Sequence, residues 1–227
     1  MFKLIPLVLA VVYALISYKF SVWNFHKQLD AKSTPLKDPK IDALTNRMAN
    51  ALDLPKIKVN IYEVDPVNGL ASADGRIFIT RGFFNKYKAG DVTATEIASV
   101  IAHELGHVAL GHSRRRMIDF SGQNAIRVIM TSLIGRFIPF IGPWIANLIA
   151  STLAARLSQR DEYEADAYAS ALLTKSGIGT DAQKQLFSKL NKISGMGKRS
   201  TPAWLLSHPK TEDRIAAIEK NELKWQQ

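Results

Sequence analysis

The chain has 227 residues, enough for one well-buried domain and a terminal extension. Thirty Lys and Arg against twenty Asp and Glu leave a formal charge of +10. The charge is spread along the chain, its only tight cluster is Arg114-Arg115-Arg116, and no nucleic-acid-binding signature accompanies it, so nucleic acid is set aside as a partner. The absence of cysteine excludes disulfides, thiolate catalysis and thiolate metal ligands, and leaves His and carboxylates to hold any metal.

The first element is an apolar run. Leu4 to Tyr18 carries no charge and lies between Lys3 and Lys19. Its length suits a signal-peptide core better than a full span of about 20 residues. No small-x-small cleavage site follows, however, and Tyr13, Tyr18 and Trp23 suit the interface of an uncleaved anchor. Residues 1–20 are therefore expected to be a signal or membrane anchor. Residues 21–40, polar and Lys-rich with Pro35 and Pro39, are expected to be a linker, and 41–227 one folded domain.

From Ile41 the apolar spacing turns helical through Leu44, Met48 and Leu52, and it stops at Leu54-Pro55. Lys56 to Val64 alternates around Ile57, Val59 and Ile61, which predicts a strand. Asp74-Gly75 separates Leu70-Ala71 from a second alternating stretch, Arg76 to Thr80, which predicts a hairpin or a tight turn into a strand. Thr93 and Glu96 make a capping box, and Ile97, Val100, Ile101, Leu105 and Val108 carry a helix to Gly111.

Phe137 to Ala155 is nineteen residues without a charge, interrupted by Pro139, Gly142, Pro143 and Asn147. If His107 and Glu162 share an ion, the chain between them crosses a membrane an even number of times. Two spans of about 20 residues do not fit between Arg116 and Arg156, which also enclose Asp119, Arg127 and Arg136. The segment is thus expected to be a buried helical hairpin or a shallow membrane-dipping element. Further helices are predicted over 156–175, ending at Ser176-Gly177, over 181–194 behind Thr180 or Asp181, and over 211–224 behind Thr211. The fold class is α+β, mainly helical, with a small sheet beside the helix of 93–111.

His103-Glu104-Leu105-Gly106-His107 is an H-E-x-x-H motif inside that capped helix. Residues four apart share a helix face, so both imidazoles can reach one ion while Glu104 turns toward its open side. Nitrogen and oxygen ligands suit zinc, and a catalytic zinc takes three protein ligands and keeps a position for water. His112 does not supply the third. The longer H-E-x-x-H-x-x-G-x-x-H pattern needs Gly and His at positions that hold Leu110 and Ser113, and His112 reads as a structural residue at the helix end. Glu162 and Asp166 are the better candidates, four apart on one helix face. One would bind the metal while the other steadies His103 or His107 from behind, with Glu164 pointing elsewhere.

These residues, with Ser207-His208-Pro209, Arg214, Asn68-Gly69-Leu70-Ala71 and Gly75-Arg76-Ile77-Phe78-Ile79-Thr80-Arg81-Gly82, resemble the zinc metallopeptidases that include HtpX, the CAAX prenyl proteases and the OMA-type mitochondrial protease. The resemblance runs from about residue 40 to 222. It implies one zinc per chain, held by His103, His107 and Glu162, with Glu104 as base. It sets Asp166 behind the ligands, and His208 at the developing oxyanion with Arg214 supporting that corner. It also implies that Arg76, Ile77, Phe78 and Ile79 hold an extended substrate by edge pairing.

The chain lacks the several clear spans of HtpX and the CAAX enzymes, so prenyl-protein processing is not implied. It is closer to compact bacterial members with one N-terminal signal or anchor, although those are often lipoproteins and this chain has no cysteine. The expected activity is zinc-dependent endopeptidase action on unfolded or membrane-associated proteins, in envelope quality control. The alternative is a zinc-containing, chaperone-like envelope binding protein, against which the acid at Glu104 argues. Membrane association is expected. The lysines after the apolar run favour a cytoplasmic domain, the compact envelope relatives the periplasm, and the balance is set at the periplasm.

Overall fold

The structure, a computed structural model, describes residues 5–72, 74–112, 115, 142–193 and 211–225. Their main elements are, in chain order, α1 (Ile5–Ala31), β1 (Ser33–Pro35), α2 (Pro39–Ala51), β2 (Val59–Tyr62), β3 (Gly69–Ala71), β4 (Ile77–Thr80), α3 (Arg81–Lys88), α4 (Ala94–Ala109), α5 (Gly142–Lys175), α6 (Asp181–Ile193) and α7 (Thr211–Trp225). Two units separate. One is Met1–Ala31 with His112–Ser158, the other Lys32–Gly111 with Gln159–Gln227.

In the first unit, α1 continues well past the apolar run to Ala31; the stretch 21–40, expected to be a linker, carries the end of this helix and then, in the second unit, β1 and the start of α2. Leu9, Val12, Leu15, Ile16, Phe20 and Trp23 of α1 are exposed. Among the described residues no helix is long and apolar enough to cross a membrane. The start of α5 also lies here. Its backbone is one helix from Gly142 onward, so no reversal of the expected hairpin falls within 142–155. Pro143 fits because a first-turn proline gives up no helical hydrogen bond.

The second unit is built around the sheet and α4. Strand order is β1-β2-β4-β3, with β2 and β4 parallel and the two outer pairs antiparallel. Ile77 to Thr80 are all buried, so β4 is an interior strand packed on both faces. This corrects the expectation that 76–80 offers a free edge. Among the described residues the outer strand on that side is β3. Strand order depends on contacts distant in sequence, and alternation alone does not encode it.

α4 follows its capping box and is enclosed, with every residue from Glu96 to His107 buried. Ile41 and Met48 of α2, Ile61 of β2, Ile77 and Ile79 of β4, and Leu173 and Leu186 pack with its Ile97 and Ile101 in one core. α2 starts ahead of its apolar spacing because Asp38 caps it, accepting from Lys40 N and Ile41 N, with Pro39 in the first turn. α3 is absent from the expected elements. Thr80 accepts from Phe83 N at its start, Phe83 and Phe84 bury, and Lys86 and Lys88 face the carbonyl end.

Candidate active site

The site grows from α4. Glu96 Oε2 accepts from Thr93 N at 2.7 Å, and its other oxygen meets Lys189 Nζ of α6 at 2.7 Å. One turn and more along the helix, His103, Glu104 and His107 are all at most 4% exposed. The two imidazoles stand edge to face with centroids 4.7 Å apart, and their Nε2 atoms lie 3.1 Å from each other.

α5 brings the third group. Glu162 is fully buried, with Oε2 at 3.3 Å from His103 Nε2 and Oε1 at 3.4 Å from His107 Nε2. Its approach requires α4 and α5 to lie close. Gly106 permits this, since a Cβ there would come within 3.0 Å of the Ala165 backbone.

Behind these three groups, Asp166 Oδ1 is 2.9 Å from His103 Nδ1. Arg214 of α7 clasps Asp166 with both arms of its fork, Nε to Oδ2 at 2.6 Å and Nη2 to Oδ1 at 2.7 Å. Burial alone would raise the Asp166 pKa, but the charge and hydrogen bonds of Arg214, with the His103 bond, hold it below its ordinary 3.8. An ionised carboxylate only accepts, so His103 carries a proton on Nδ1, and Nε2 is the ring atom that faces His107 and Glu162 and is left to bind a cation when one replaces its proton. Burial lowers the His103 pKa, while the bonds to Asp166 and Glu162 outweigh that and raise it to about 9. The pocket therefore favours a positive charge among these three groups.

Zinc fits this donor set. A tetrahedral ion with bonds of about 2.0–2.1 Å keeps its ligand atoms about 3.3–3.4 Å apart. The three contacts here are 3.1, 3.3 and 3.4 Å. Two imidazole nitrogens and a carboxylate, buried and facing one another, need a cation to offset their desolvation.

His112 belongs to the other unit, and Glu164 ion-pairs with Arg160 at 2.7 Å. Arg214 sits on Asp166, with Nη2 3.4 Å from His103 Nδ1, while the corner it was expected to support, that of His208, lies outside the described residues. The buried carboxylate draws the guanidinium inward, where it is only 1% exposed. Arg76 pairs with Asp74 at 2.7 Å, and Ile77, Phe78 and Ile79 are fully buried in β4, so none of the four lies on an open strand edge. His208 falls outside the described residues.

The sequence reading missed the approach of β3 to the base. A Cβ at Gly69 would lie 2.6 Å from Val100 Cγ1 and 3.3 Å from Glu104 Oε1. Glycine within a strand was the available signal, since it marks close approach of another group.

Known proteins are similar to this chain in sequence. The profile of Peptidase family M48 matches residues 35–222. The metalloprotease LoiP of Escherichia coli is 30% identical over 197 residues, spanning 85% of this chain and 75% of that protein. The beta-barrel assembly-enhancing protease of Escherichia coli is 27% identical over 192 residues, which are 80% of this chain but 38% of that protein. Protease HtpX of Vibrio vulnificus is 23% identical over 215 residues, 76% of this chain and 69% of the relative.

Proposed function

The chain belongs to Peptidase family M48, and from that premise we propose that it is a zinc-dependent endopeptidase acting on unfolded or membrane-associated proteins at the bacterial envelope. The observation that carries this reading is the meeting of His103 Nε2, His107 Nε2 and the Glu162 carboxylate, beside a buried Glu104. When bound, zinc lowers the pKa of a water toward about 7 and polarises a carbonyl.

Glu104 supplies the proton chemistry. Its carboxylate takes a proton from the attacking water and returns it to the leaving amine. Asp166 keeps His103 in the tautomer that can ligate, and Arg214 keeps Asp166 ionised. By family resemblance His208 is assigned to the developing oxyanion.

Extended substrate is assigned to the outer edge of β3. Leu70 pairs with Phe78, Thr80 N bonds Asn68 O, and Ser72 N bonds Arg76 O. By antiparallel alternation, Gly69 and Ala71 then direct backbone groups away from β4. A main-chain template of this kind asks little of substrate side chains, which suits unfolded clients. The name of one relative ties it to β-barrel assembly, and that likeness supports envelope substrates and the periplasmic side. The exposed apolar side chains of α1 support membrane association.

The test is Glu104→Gln. This variant is expected to retain one zinc per chain by metal analysis while losing casein cleavage by a factor of at least about 100. Casein cleavage at the wild-type rate removes the mechanism.

A further inference from the structure

Beneath the residues that would ligate or steady an ion, an aromatic ring of α6 touches Arg214. Phe187 of α6 lies under the guanidinium of Arg214, with Cζ 4.2 Å from the ring centroid. Both side chains are buried, at 3% and 1% exposure.

A guanidinium has an edge and two faces. The edge of Arg214 is committed to Asp166 through contacts of 2.6 and 2.7 Å. These bonds fix its distance from the carboxylate, and a small tilt about the line joining the two groups weakens both of them without breaking either. A ring against one face opposes that tilt further, and its negative π face attracts the buried cation. The tilt matters because Asp166 Oδ1 is shared. It accepts from Arg214 Nη2 and from His103 Nδ1 at 2.9 Å, while those two donors lie 3.4 Å apart. A guanidinium out of plane would crowd the imidazole or give up the oxygen that orients it.

The ring itself is held in place. Phe187 sits on α6 between Gln183, which accepts from Ser170 Oγ of α5 at 2.9 Å, and Lys189, which meets Glu96 of α4 at 2.7 Å. The helix is thus tied to both elements that carry the ligands.

We propose that Phe187 is a positioning residue of the metal centre, its ring face holding Arg214 in the plane of Asp166 so that His103 presents Nε2 to the ion. This rests on the reading of His103, His107 and Glu162 as a zinc site. Phe187 acts through Arg214 and Asp166, two side chains from His103, so the expected effect is the lower end of the range for outer partners, about tenfold in zinc affinity.

The experiment uses the full chain, with zinc affinity measured by competition against a chromophoric chelator. Phe187→Leu, which keeps apolar bulk without a π face, is expected to bind zinc about tenfold more weakly, and Phe187→Tyr to stay near wild type. Because a leucine variant can fail to fold, 3,4,5-trifluorophenylalanine is also placed at 187, where shape is kept and the quadrupole is weakened. Its affinity is expected to fall between those of the wild type and Phe187→Leu. Wild-type affinity in the trifluoro protein overturns the proposal, whether or not the leucine variant folds. Failure of the wild-type chain itself to bind one zinc would instead overturn the underlying metal reading.

Discussion

Gly106 of α4 lies directly against the backbone of Ala165 in α5. A Cβ at 106 would stand 3.0 Å from both the Cα and the carbonyl oxygen of Ala165, and 3.2 Å from Tyr168 Cβ. Gly106 is three residues after His103 and one before His107, while Ala165 lies between Glu162 and Asp166. The separation of the two helices, and with it the reach of the Glu162 carboxylate, is thus set by a missing methyl group.

Gly106→Ala tests this directly. Helix propensity alone would favour alanine by about 1 kcal/mol. Forcing a methyl against main-chain atoms that cannot rotate away costs about 1–3 kcal/mol. A net loss of stability in urea is expected, with zinc binding weakened on the order of tenfold as Glu162 moves off. Zinc affinity equal to wild type would show that the close approach does not set the site.

The parts of the site carried by local spacing were legible. Glu104 sits between two histidines one turn apart, and Thr93 with Glu96 marks where that helix begins. Glu162 and Asp166 were readable as a pair on one face, although their division of labour came from resemblance to a family. The parts set by packing of distant segments were not legible. β4 reads as an alternating strand wherever it lies in a sheet, and only the placement of β2 and β3 on its two sides makes it interior. Arg214 reads as a surface charge on α7, and what takes it inward is the Asp166 carboxylate of a different helix. α3 was missed because its cap, Thr80, also ends the strand before it.

Asp38 ties the start of α2 to the end of α3 through Tyr87 Oη at 2.9 Å and Lys88 Nζ at 2.7 Å. Burial would raise its pKa, but these bonds, the one from Ile41 N and the charge of Lys88 hold it below the ordinary 3.8. A carboxyl depressed in the folded state contributes stability above its unfolded pKa and loses it as pH falls through the folded one. Asp38→Asn keeps a good helix cap but removes the charge. The wild type is expected to be more stable than this variant by a constant margin from pH 7 to about 5, with the margin shrinking below about pH 4. A margin that does not change with pH would contradict the assignment.

Asp166 and Arg214 are expected to act as a unit. Asp166→Asn leaves a buried guanidinium facing a neutral amide, and Arg214→Met leaves a buried carboxylate without its clasp. Each change is expected to cost about 3–5 kcal/mol, and the double variant much less than their sum. Zinc affinity is expected to fall 10- to 100-fold in Asp166→Asn, because the His103 tautomer is no longer fixed. Denaturant titration and chelator competition measure the two effects, and additive stabilities would dissolve the unit.

The edge assignment turns on Ala71, the last residue of β3, whose N–H is directed outward by the ladder alternation. Proline is tolerated on an outer strand where the lost N–H faces solvent, and Leu70 before it already has the extended backbone that proline demands. Ala71→Pro should therefore keep the fold, with zinc content and urea midpoint near wild type. It removes one main-chain donor from the surface that would receive substrate, a loss of about 1–1.5 kcal/mol per bond and more if the substrate carbonyl is left buried. Cleavage of unfolded casein is expected to fall about tenfold, with KM rising more than kcat falls because ground-state pairing is what is lost. If cleavage is unchanged in a variant that folds and carries zinc, extended substrate does not pair along β3.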